Sequence, residues 1–222
     1  LHYCGWEGGD GLNIFSDNAV IENSLMSHNF YNVFVCSSGV TIRNNNITAN
    51  FQGITMGREG ISPTIYNNHI SWNTFGINFA GCSPSVYNNT ITSNQVNGIN
   101  FANATPVIRD NFITNNGDGI RSYSYSNPTI FNNTIASNLR TGVSCFNHSS
   151  GIIQNNTITA NNYGIQCENS SPTIQNNNVS HNGAGIGASG NCSPFIYNNT
   201  ITSNSWAGIN PNNGANAVIK NN

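Results

Sequence analysis

An apolar residue recurs every 21 to 23 residues through most of the 222-residue sequence. This first column consists of Ile21, Ile42, Ile65, Val86, Ile108, Ile130, Ile153, Ile174, Ile196 and Ile219. A second column follows five residues later, from Met26 to Ile201, and a third follows 12 or 13 residues after the first, from Val33 to Ile209. Self-similarity at a fixed period of this length is typical of solenoids, in which each repeat is one supersecondary unit.

Each repeat holds three short apolar segments bounded by Asn or Gly, which is the pattern of short strands separated by turns. Within Thr200-Ile201-Thr202, alternation points the isoleucine inward and both threonines outward. Charged residues make up 6% of the chain, against roughly 25% in a typical domain. Asn, Ser, Thr and Gly take their place and are poor helix formers. The sequence therefore predicts an all-β fold, a parallel β-helix (β-solenoid) of about ten rungs with three strands each, as one domain over residues 1–222.

Asparagine recurs two residues after the first apolar column. These positions are Asn23, Asn44, Asn67, Asn88, Asn132, Asn155, Asn176, Asn198 and Asn221, with Asp110 in the remaining repeat. Asparagine tolerates the left-handed conformation that a sharp corner needs. Stacked at the rung spacing of ~4.8 Å, its amides can also bond one another. We therefore predict corner residues that form an asparagine ladder and are buried in the corners, and we expect the glycine before most third-column residues to allow a close backbone approach.

The pattern degrades over residues 1–18, where the Gly-rich segment of residues 4–11 indicates an irregular first rung with a protruding loop. Neither end carries a helix or a polar cap of the kind that solenoids use to protect their terminal rungs. We therefore expect both end faces to be covered, by flanking chain of a larger protein or by end-to-end self-association.

The repeat in Pro63-Thr64-Ile65-Tyr66-Asn67-Asn68-His69-Ile70, followed by Gly76-Ile77, resembles the parallel β-helix repeat family, including NosD-like and CASH-type (carbohydrate-binding and sugar-hydrolase) modules. The resemblance covers about residues 17–222. It implies a right-handed β-helix in an exported or cell-surface protein. Its members include pectinolytic enzymes, adhesins and structural surface proteins, so fold alone does not select the function.

Candidate catalytic residues are few, because the chain has only eight acidic side chains. The best cluster places Arg109, Asp110, Asp118 and Arg121 on one rung, with Arg140 on the next. Asp118 and Arg140 occupy the same position in successive repeats, so we predict a surface ion pair, and Asp110 replaces asparagine at its corner. Glycoside hydrolysis needs a pair of carboxyl groups, and none is evident here. The sequence therefore predicts no catalytic site and no enzyme.

Outward-facing aromatic residues mark one face of the predicted helix. They lie directly after the first column and are Tyr66, Tyr87, Phe131 and Tyr197. Tyr66 and Tyr87 fall on adjacent rungs and could stack against a sugar, although such residues also suit exposed strands or a partner surface. A third idea comes from Thr-x-Thr pairs such as Thr90/Thr92 and Thr200/Thr202, which resemble an ice-binding plane. Other residues interrupt those rows.

Six cysteines match no CxxC metal framework, and the five histidines are scattered; we predict neither a metal site nor a cofactor. Cys145 and Cys167 occupy equivalent inward positions one rung apart, as stacked thiols or a disulfide. Cys82 and Cys192 precede Ser-Pro at turns and are expected to be exposed. Sequons at turn positions predict N-linked glycans on Asn103, Asn147, Asn169 and Asn191.

Several partner classes are excluded by composition. The net charge is −2 with only six basic residues, which gives no basic patch for nucleic acid, and no apolar run is long enough for a membrane span. The first interpretation is a structural or adhesive module of an extracellular or cell-surface assembly, stacked end to end into a filament or surface layer. The alternatives are a carbohydrate-binding or polysaccharide-cleaving module, acting along the Tyr66/Tyr87 face or near Asp110, and an ice-binding solenoid.

Overall fold

The computed structural model describes Gly9 and residues 11–222, and in this part of the chain all regular structure is β-strand. Three strands form each rung, and strands of successive rungs pair in parallel to build three sheets. The predicted Gly-rich loop of residues 4–11, with Cys4, lies outside the described residues except for Gly9 and Gly11. No helix capable of crossing a membrane is present among the described residues.

Sheet A has ten strands and contains the longest segments, of up to six residues. Its strands are β1 (Leu12–Ile14), β4 (Tyr31–Val35), β7 (Gln52–Met56), β10 (Phe75–Ala80), β13 (Asn97–Ala102), β16 (Asp118–Tyr123), β19 (Thr141–Phe146), β22 (Tyr163–Glu168), β25 (Ala184–Ser189) and β28 (Ala207–Pro211).

Sheet B has ten strands of three residues, each centred on a residue of the first apolar column. Its strands are β2 (Val20–Glu22), β5 (Thr41–Arg43), β8 (Thr64–Tyr66), β11 (Ser85–Tyr87), β14 (Val107–Arg109), β17 (Thr129–Phe131), β20 (Ile152–Gln154), β23 (Thr173–Gln175), β26 (Phe195–Tyr197) and β29 (Val218–Lys220).

Sheet C has nine strands of three residues and carries the second apolar column. Its strands are β3 (Leu25–Ser27), β6 (Asn46–Thr48), β9 (His69–Ser71), β12 (Thr90–Thr92), β15 (Phe112–Thr114), β18 (Thr134–Ala136), β21 (Thr157–Thr159), β24 (Asn178–Ser180) and β27 (Thr200–Thr202).

The core is a set of aliphatic columns that run along the inside of the three sheets. Residues of one column pair directly in register, as Val86 does with Ile65 and Ile108. From Ile42 to Ile196, the first-column side chains are fully buried. The predicted all-β solenoid, with its rung length and its three inward columns, is confirmed.

The asparagine ladders lie one position away from where the sequence pattern placed the first of them. The predicted column, from Asn23 to Asn221, does form corners, with φ angles of 51 to 56°, but its members are exposed. A left-handed residue resets the strand alternation, so that the next side chain points inward. That next column forms the ladder: Asn45, Asn68, Asn89, Asn111, Asn133, Asn156, Asn177, Asn199 and Asn222. From Asn45 to Asn199, each amide nitrogen donates to Oδ1 of the asparagine on the next rung at 2.8–3.0 Å.

A second ladder fills the corner between sheets C and A. It consists of Asn29, Asn50, Asn73, Asn94, Asn116, Asn138, Asn161, Asn182 and Asn204. The strand that follows carries the predicted glycine: a methyl group on Gly76 would lie 2.4 Å from the carbonyl oxygen of Gly98 on the next rung. The ladder side chains form hydrogen bonds with backbone groups that the bends would otherwise leave without partners. Glycine allows the backbones of adjacent rungs to approach closely at this corner.

Candidate functional site

The outer face of sheet A carries hydrogen-bonded polar side chains on three successive rungs, those of β7, β10 and β13. Gln52 Oε1 accepts hydrogen bonds from Thr55 Oγ1 at 2.6 Å and from Asn78 Nδ2 at 3.0 Å. Asn100 Nδ2 donates to Asn78 Oδ1 at 2.8 Å. The next residue in register after Asn100 is Arg121. Amide and hydroxyl groups thus lie on the three rungs that precede the guanidinium group of Arg121.

Arg121 lies in an open cleft of about 320 Å³ on this face. The cleft spans three rungs, β16, β19 and β22, and the turns before β19 and β22. Its lining residues are Asp118, Arg121, Arg140, Thr141, Phe146, Asn162, Tyr163 and Gln166. Two arginines, one carboxylate, neutral polar groups and two aromatic rings therefore converge on one concave surface.

Asp118 is held by the protein rather than free for proton transfer. Its carboxylate accepts from Arg140 Nε at 3.2 Å and Nη2 at 3.0 Å, from the Thr141 backbone N–H at 3.2 Å and from Asn97 Nδ2 at 3.1 Å. Its side chain is 9% exposed, against 50% for Arg140. The ion pair predicted between Asp118 and Arg140 is confirmed, and it fixes Arg140 at the edge of the cleft.

Arg121 is the incompletely satisfied group of the cleft. Its Nε is buried and has no hydrogen-bond partner among the residues that the structure describes. Its guanidinium carbon lies 5.9 Å from the Tyr123 ring centroid and 5.6 Å from that of Phe146. A buried donor without a partner costs about 1–3 kcal/mol, and a carboxylate can accept charge-assisted bonds from such a fork. The cleft can therefore bind an anionic group next to an aromatic surface.

The cluster expected on one rung is divided between two faces. Arg109 pairs with Asp110 at 2.7 Å on the sheet B side, and Asp110 has the corner φ of 56° predicted for it. Asp118 and Arg121 instead lie on the outer face of sheet A. A site near Asp110 would therefore not include Asp118 or Arg121, and binding or cleavage near Asp110 stays a prediction.

The predicted aromatic face on sheet B is a tightly stacked column. Tyr66 and Tyr87 are parallel within 2°, with ring centroids 5.0 Å apart. Arg109 covers the Tyr87 ring at 4.1 Å, and Arg43 Nη1 donates to the Tyr66 hydroxyl at 3.0 Å. The tyrosine rings face each other along the solenoid axis, so the column presents their edges to solvent.

The other two aromatic residues of that face stand apart from the tyrosine pair. Phe131 follows Arg109 in register and is half-buried, and Tyr197 tilts against Phe195 with centroids 4.6 Å apart. Sugar binding by this face stays a prediction. The Thr-x-Thr rows of sheet C are interrupted in register, since Thr90 lies between His69 and Phe112.

The thiol groups form part of the core. Cys145 and Cys167 pair in register as free, buried thiols. Cys82 and Cys192 are also buried, 0% and 1% exposed; their expected exposure was wrong, because the turn folds each thiol inward onto a backbone carbonyl, of Arg58 and Ser170 respectively. A hydrogen bond from Cys167 lowers the pKa of Cys192 to about 6. Bonding to Cys145 and Cys192, with burial, raises that of Cys167 well above its usual value.

The predicted glycosylation sites lie at the turns that follow sheet A. Asn103, Asn147 and Asn191 are exposed and Asn169 is half-buried, with its Oδ1 accepting from the Asn191 backbone at 3.0 Å; their modification stays a prediction. Among the described residues, no group of three or more His, Cys, Asp or Glu side chains is arranged to hold a metal ion.

Sequence reasoning missed Phe146, Tyr163 and Gln166 as residues of the site. The available signal was position: Gln166 and Arg121 each directly follow a residue of the third apolar column, and all such residues point outward from sheet A. Tyr163 is the first residue of β22 and lines the cleft, although strand alternation from Ile165 predicts an inward side chain at this position.

Comparisons with known proteins agree with this architecture. A family model described as the right handed beta helix region matches residues 52–201. No curated protein sequence matches the chain. Among solved structures, the chain is similar to the A-module of the mannuronan C-5 epimerase AlgE4 of Azotobacter vinelandii, with 11% identity, a TM-score of 0.62 and coverage of 96% of this chain and 85% of that one.

Two further solved structures share the fold. The Agl-KA catalytic domain is 20% identical, with a TM-score of 0.69 over 92% of this chain and 47% of that one. The A-module of the epimerase AlgE6, also from Azotobacter vinelandii, is 13% identical, with a TM-score of 0.56 over 96% of this chain and 84% of that one. These likenesses are of the fold.

The comparisons correct the expectation that the chain is not an enzyme. The three structures described above are named as enzymes or as a catalytic domain. The lack of a paired-carboxylate signature in the sequence is therefore no ground for excluding catalysis on this scaffold. The family model covers more than half of the chain, so this protein belongs to the right-handed β-helix family.

Proposed function

We propose that the chain is a carbohydrate-active β-helix module that binds a carboxylate-bearing polysaccharide along the outer face of sheet A. The observation that carries this proposal is the buried, unpartnered Nε of Arg121 in a cleft that also contains Phe146 and Tyr163. A sugar carboxylate in the cleft would pair with the positive charge of the guanidinium group, and aromatic rings can pack against the apolar face of a pyranose.

The polar row from Gln52 to Asn100 supports a ligand longer than a single sugar. It supplies amide and hydroxyl groups on three successive rungs, at the strand spacing of ~4.8 Å, leading to Arg121. A chain of hydroxyl-bearing units lying along the solenoid would meet the half-buried Gln52 and Asn78 directly, whereas Thr55 and Asn100 are only 8% and 9% exposed. The similarity to mannuronan C-5 epimerases favours the same ligand class. It supports the carbohydrate alternative better than a structural or adhesive role.

Binding of defined oligosaccharides tests the proposal. Isothermal titration calorimetry would compare mannuronate and galacturonate oligomers with neutral xylo-oligosaccharides, and we expect affinity for an acidic series only. Arg121→Gln should weaken this binding at least tenfold, since hydrogen bonds to charged groups contribute about 1.5–3 kcal/mol.

Arg109→Gln is the matched control, because it removes the same charge from the same rung on sheet B. It should leave the affinity unchanged. Absence of binding to either acidic series, or equal losses in both variants, would contradict the proposal. NMR spectra of the bound polysaccharide after incubation would report new reducing ends, unsaturated sugars or inverted C-5 centres, and so identify a reaction.

A further inference from the structure

Two neighbouring turns beside the cleft are one residue longer than the turns on either side of them. Ile120 and Ile130 are ten residues apart, as are Val143 and Ile153, whereas Ile99–Ile108 and Ile165–Ile174 are separated by nine. In each longer turn two consecutive residues adopt positive φ: Ser124 and Tyr125 at 52° and 57°, and Asn147 and His148 at 52° and 64°.

The extra space is occupied by a pair of stacked rings. Tyr125 and His148 lie with centroids 5.1 Å apart and planes within 16°. Tyr125 is 69% exposed, and His148 is exposed as well. The flanking turns at Asn103 and Asn169 have a single left-handed residue, so the stacked pair protrudes over two rungs only.

This arrangement is unfavourable for the fold taken alone. The other lengthened turns after sheet A each place a glycine in the left-handed region, Gly60 at 76°, Gly190 at 68° and Gly214 at 88°, where it has no steric penalty. Single left-handed residues are common at the corners of this solenoid, but among the described residues only these two turns hold two consecutive non-glycine residues in this region, which adds strain. A protruding tyrosine also leaves most of an apolar ring in water without contributing to the core.

The position of the pair connects it to the cleft. Tyr125 and His148 each lie two residues beyond Tyr123 and Phe146, the rings nearest to the Arg121 guanidinium group. Phe146 itself lines the cleft. The two lengthened turns therefore directly follow two of the three strands that build the cleft.

We propose that the Tyr125–His148 pair is a saccharide-stacking platform, a specificity-determining wall that packs against a sugar ring next to the one held by Arg121. This inference rests on the proposed function of the cleft. A flat ring with a polar edge suits a pyranose, which offers C–H groups on its face and hydroxyls around its rim. The stack would contact the face of the sugar ring and not its carboxylate, so its contribution to binding adds to that of Arg121.

Glycine variants test the platform without disturbing the turns, since glycine accepts both φ values. Tyr125→Gly and His148→Gly should keep or raise the thermal midpoint while weakening binding of mannuronate or galacturonate hexamers roughly two- to tenfold each. Tyr125→Phe retains the ring and should stay within about twofold of the unmodified chain.

The outcomes separate the two proposals. If the unmodified chain binds and Arg121→Gln weakens binding, but both glycine variants bind normally, the platform is refuted and the cleft stands. If the unmodified chain binds neither acidic hexamer, both proposals fail. Weaker binding in the glycine variants, at an unchanged thermal midpoint and with Tyr125→Phe near normal, supports the platform.

Discussion

At the scale of single residues, the two adjacent asparagines of each repeat have different roles. Asn67 is exposed with φ 55° and forms the corner. Asn68 is 2% exposed, and its amide donates to the carbonyl oxygens of Ile42 and Tyr66 and to Asn89 Oδ1. The first asparagine is selected for its backbone conformation, and the second for the hydrogen bonds that it makes inside the corner.

Replacing each asparagine in turn separates these roles. Asn68→Ala should lower the free energy of unfolding by about 3 kcal/mol, because it leaves buried backbone groups without partners. Asn67→Gly should change it by less than about 0.5 kcal/mol, since glycine accepts the left-handed conformation. Urea denaturation followed by circular dichroism measures both values. Equal losses would show that the exposed asparagine also takes part in the ladder.

The thiol of Cys82 gives the stability a dependence on alkaline pH. Burial raises the pKa of Cys82 from the ordinary value of 9.0 to about 11. Between these two values the unfolded chain loses a proton that the folded chain keeps, so stability is full below pH 9 and falls as pH rises towards 11. The loss should approach about 2 kcal/mol. The urea midpoints at pH 8 and at pH 10.5 measure this loss. The Cys82→Ala variant should lose less stability between these two pH values. An equal loss in the variant and in the unmodified chain would show that Cys82 is not the group responsible.

At the scale of strands and turns, the inward half of each element could be predicted from the sequence and the outward half only partly. Inward positions hold the same type of residue in every rung, so the spacing of Ile65 and Val86 alone predicts that both are buried. The ion pair of Asp118 with Arg140 was also predictable, because register sets equivalent positions side by side. Phe146 and Tyr163 were not, since a cleft depends on side-chain sizes across three rungs, which no single repeat contains.

Turn length is the second element-scale property that the repeat pattern concealed. Steps between first-column residues vary from 21 to 23, and the variation arises in different turns. One extra residue in the turn at Tyr125, or in the turn at His148, lengthens the repeat by one. An extra residue in any other turn of the rung would have the same effect on the spacing. Only the backbone angles show that these turns hold two left-handed residues, and thus that the rings protrude beside the cleft.

At the scale of the whole molecule, the solenoid separates scaffold from function because each rung contacts mainly its neighbours. Registered positions such as Thr41 and Thr64, or Val107 and Thr129, begin equivalent rungs. Removing the residues from one such position up to the next should join matching backbone geometries and let ladders and aliphatic columns continue. The cleft, in contrast, belongs to three particular rungs.

Two rung deletions use this separation. Deleting residues 41–63 joins Val40 to Thr64 and retains Asp118, Arg121 and Arg140. Deleting residues 107–128 joins Pro106 to Thr129 and removes Asp118 and Arg121. Both variants should show the circular dichroism of a β-solenoid, and their urea m-values should fall by about one tenth, in proportion to the surface lost on unfolding.

Only the second deletion should lower the affinity for short acidic oligosaccharides, by at least tenfold in calorimetry. The reason is that the guanidinium group of Arg121 is lost with its rung. The first deletion removes Gln52 and Thr55, the polar side chains farthest from Arg121. It should therefore lower the affinity for long oligomers and leave the affinity for trimers unchanged. Retained affinity after removal of residues 107–128 would place the binding surface elsewhere on the solenoid. Loss of the β-solenoid spectrum in the 41–63 deletion would show that its rungs are not interchangeable, since core partners such as Val35 and Phe79 would then fail to pack.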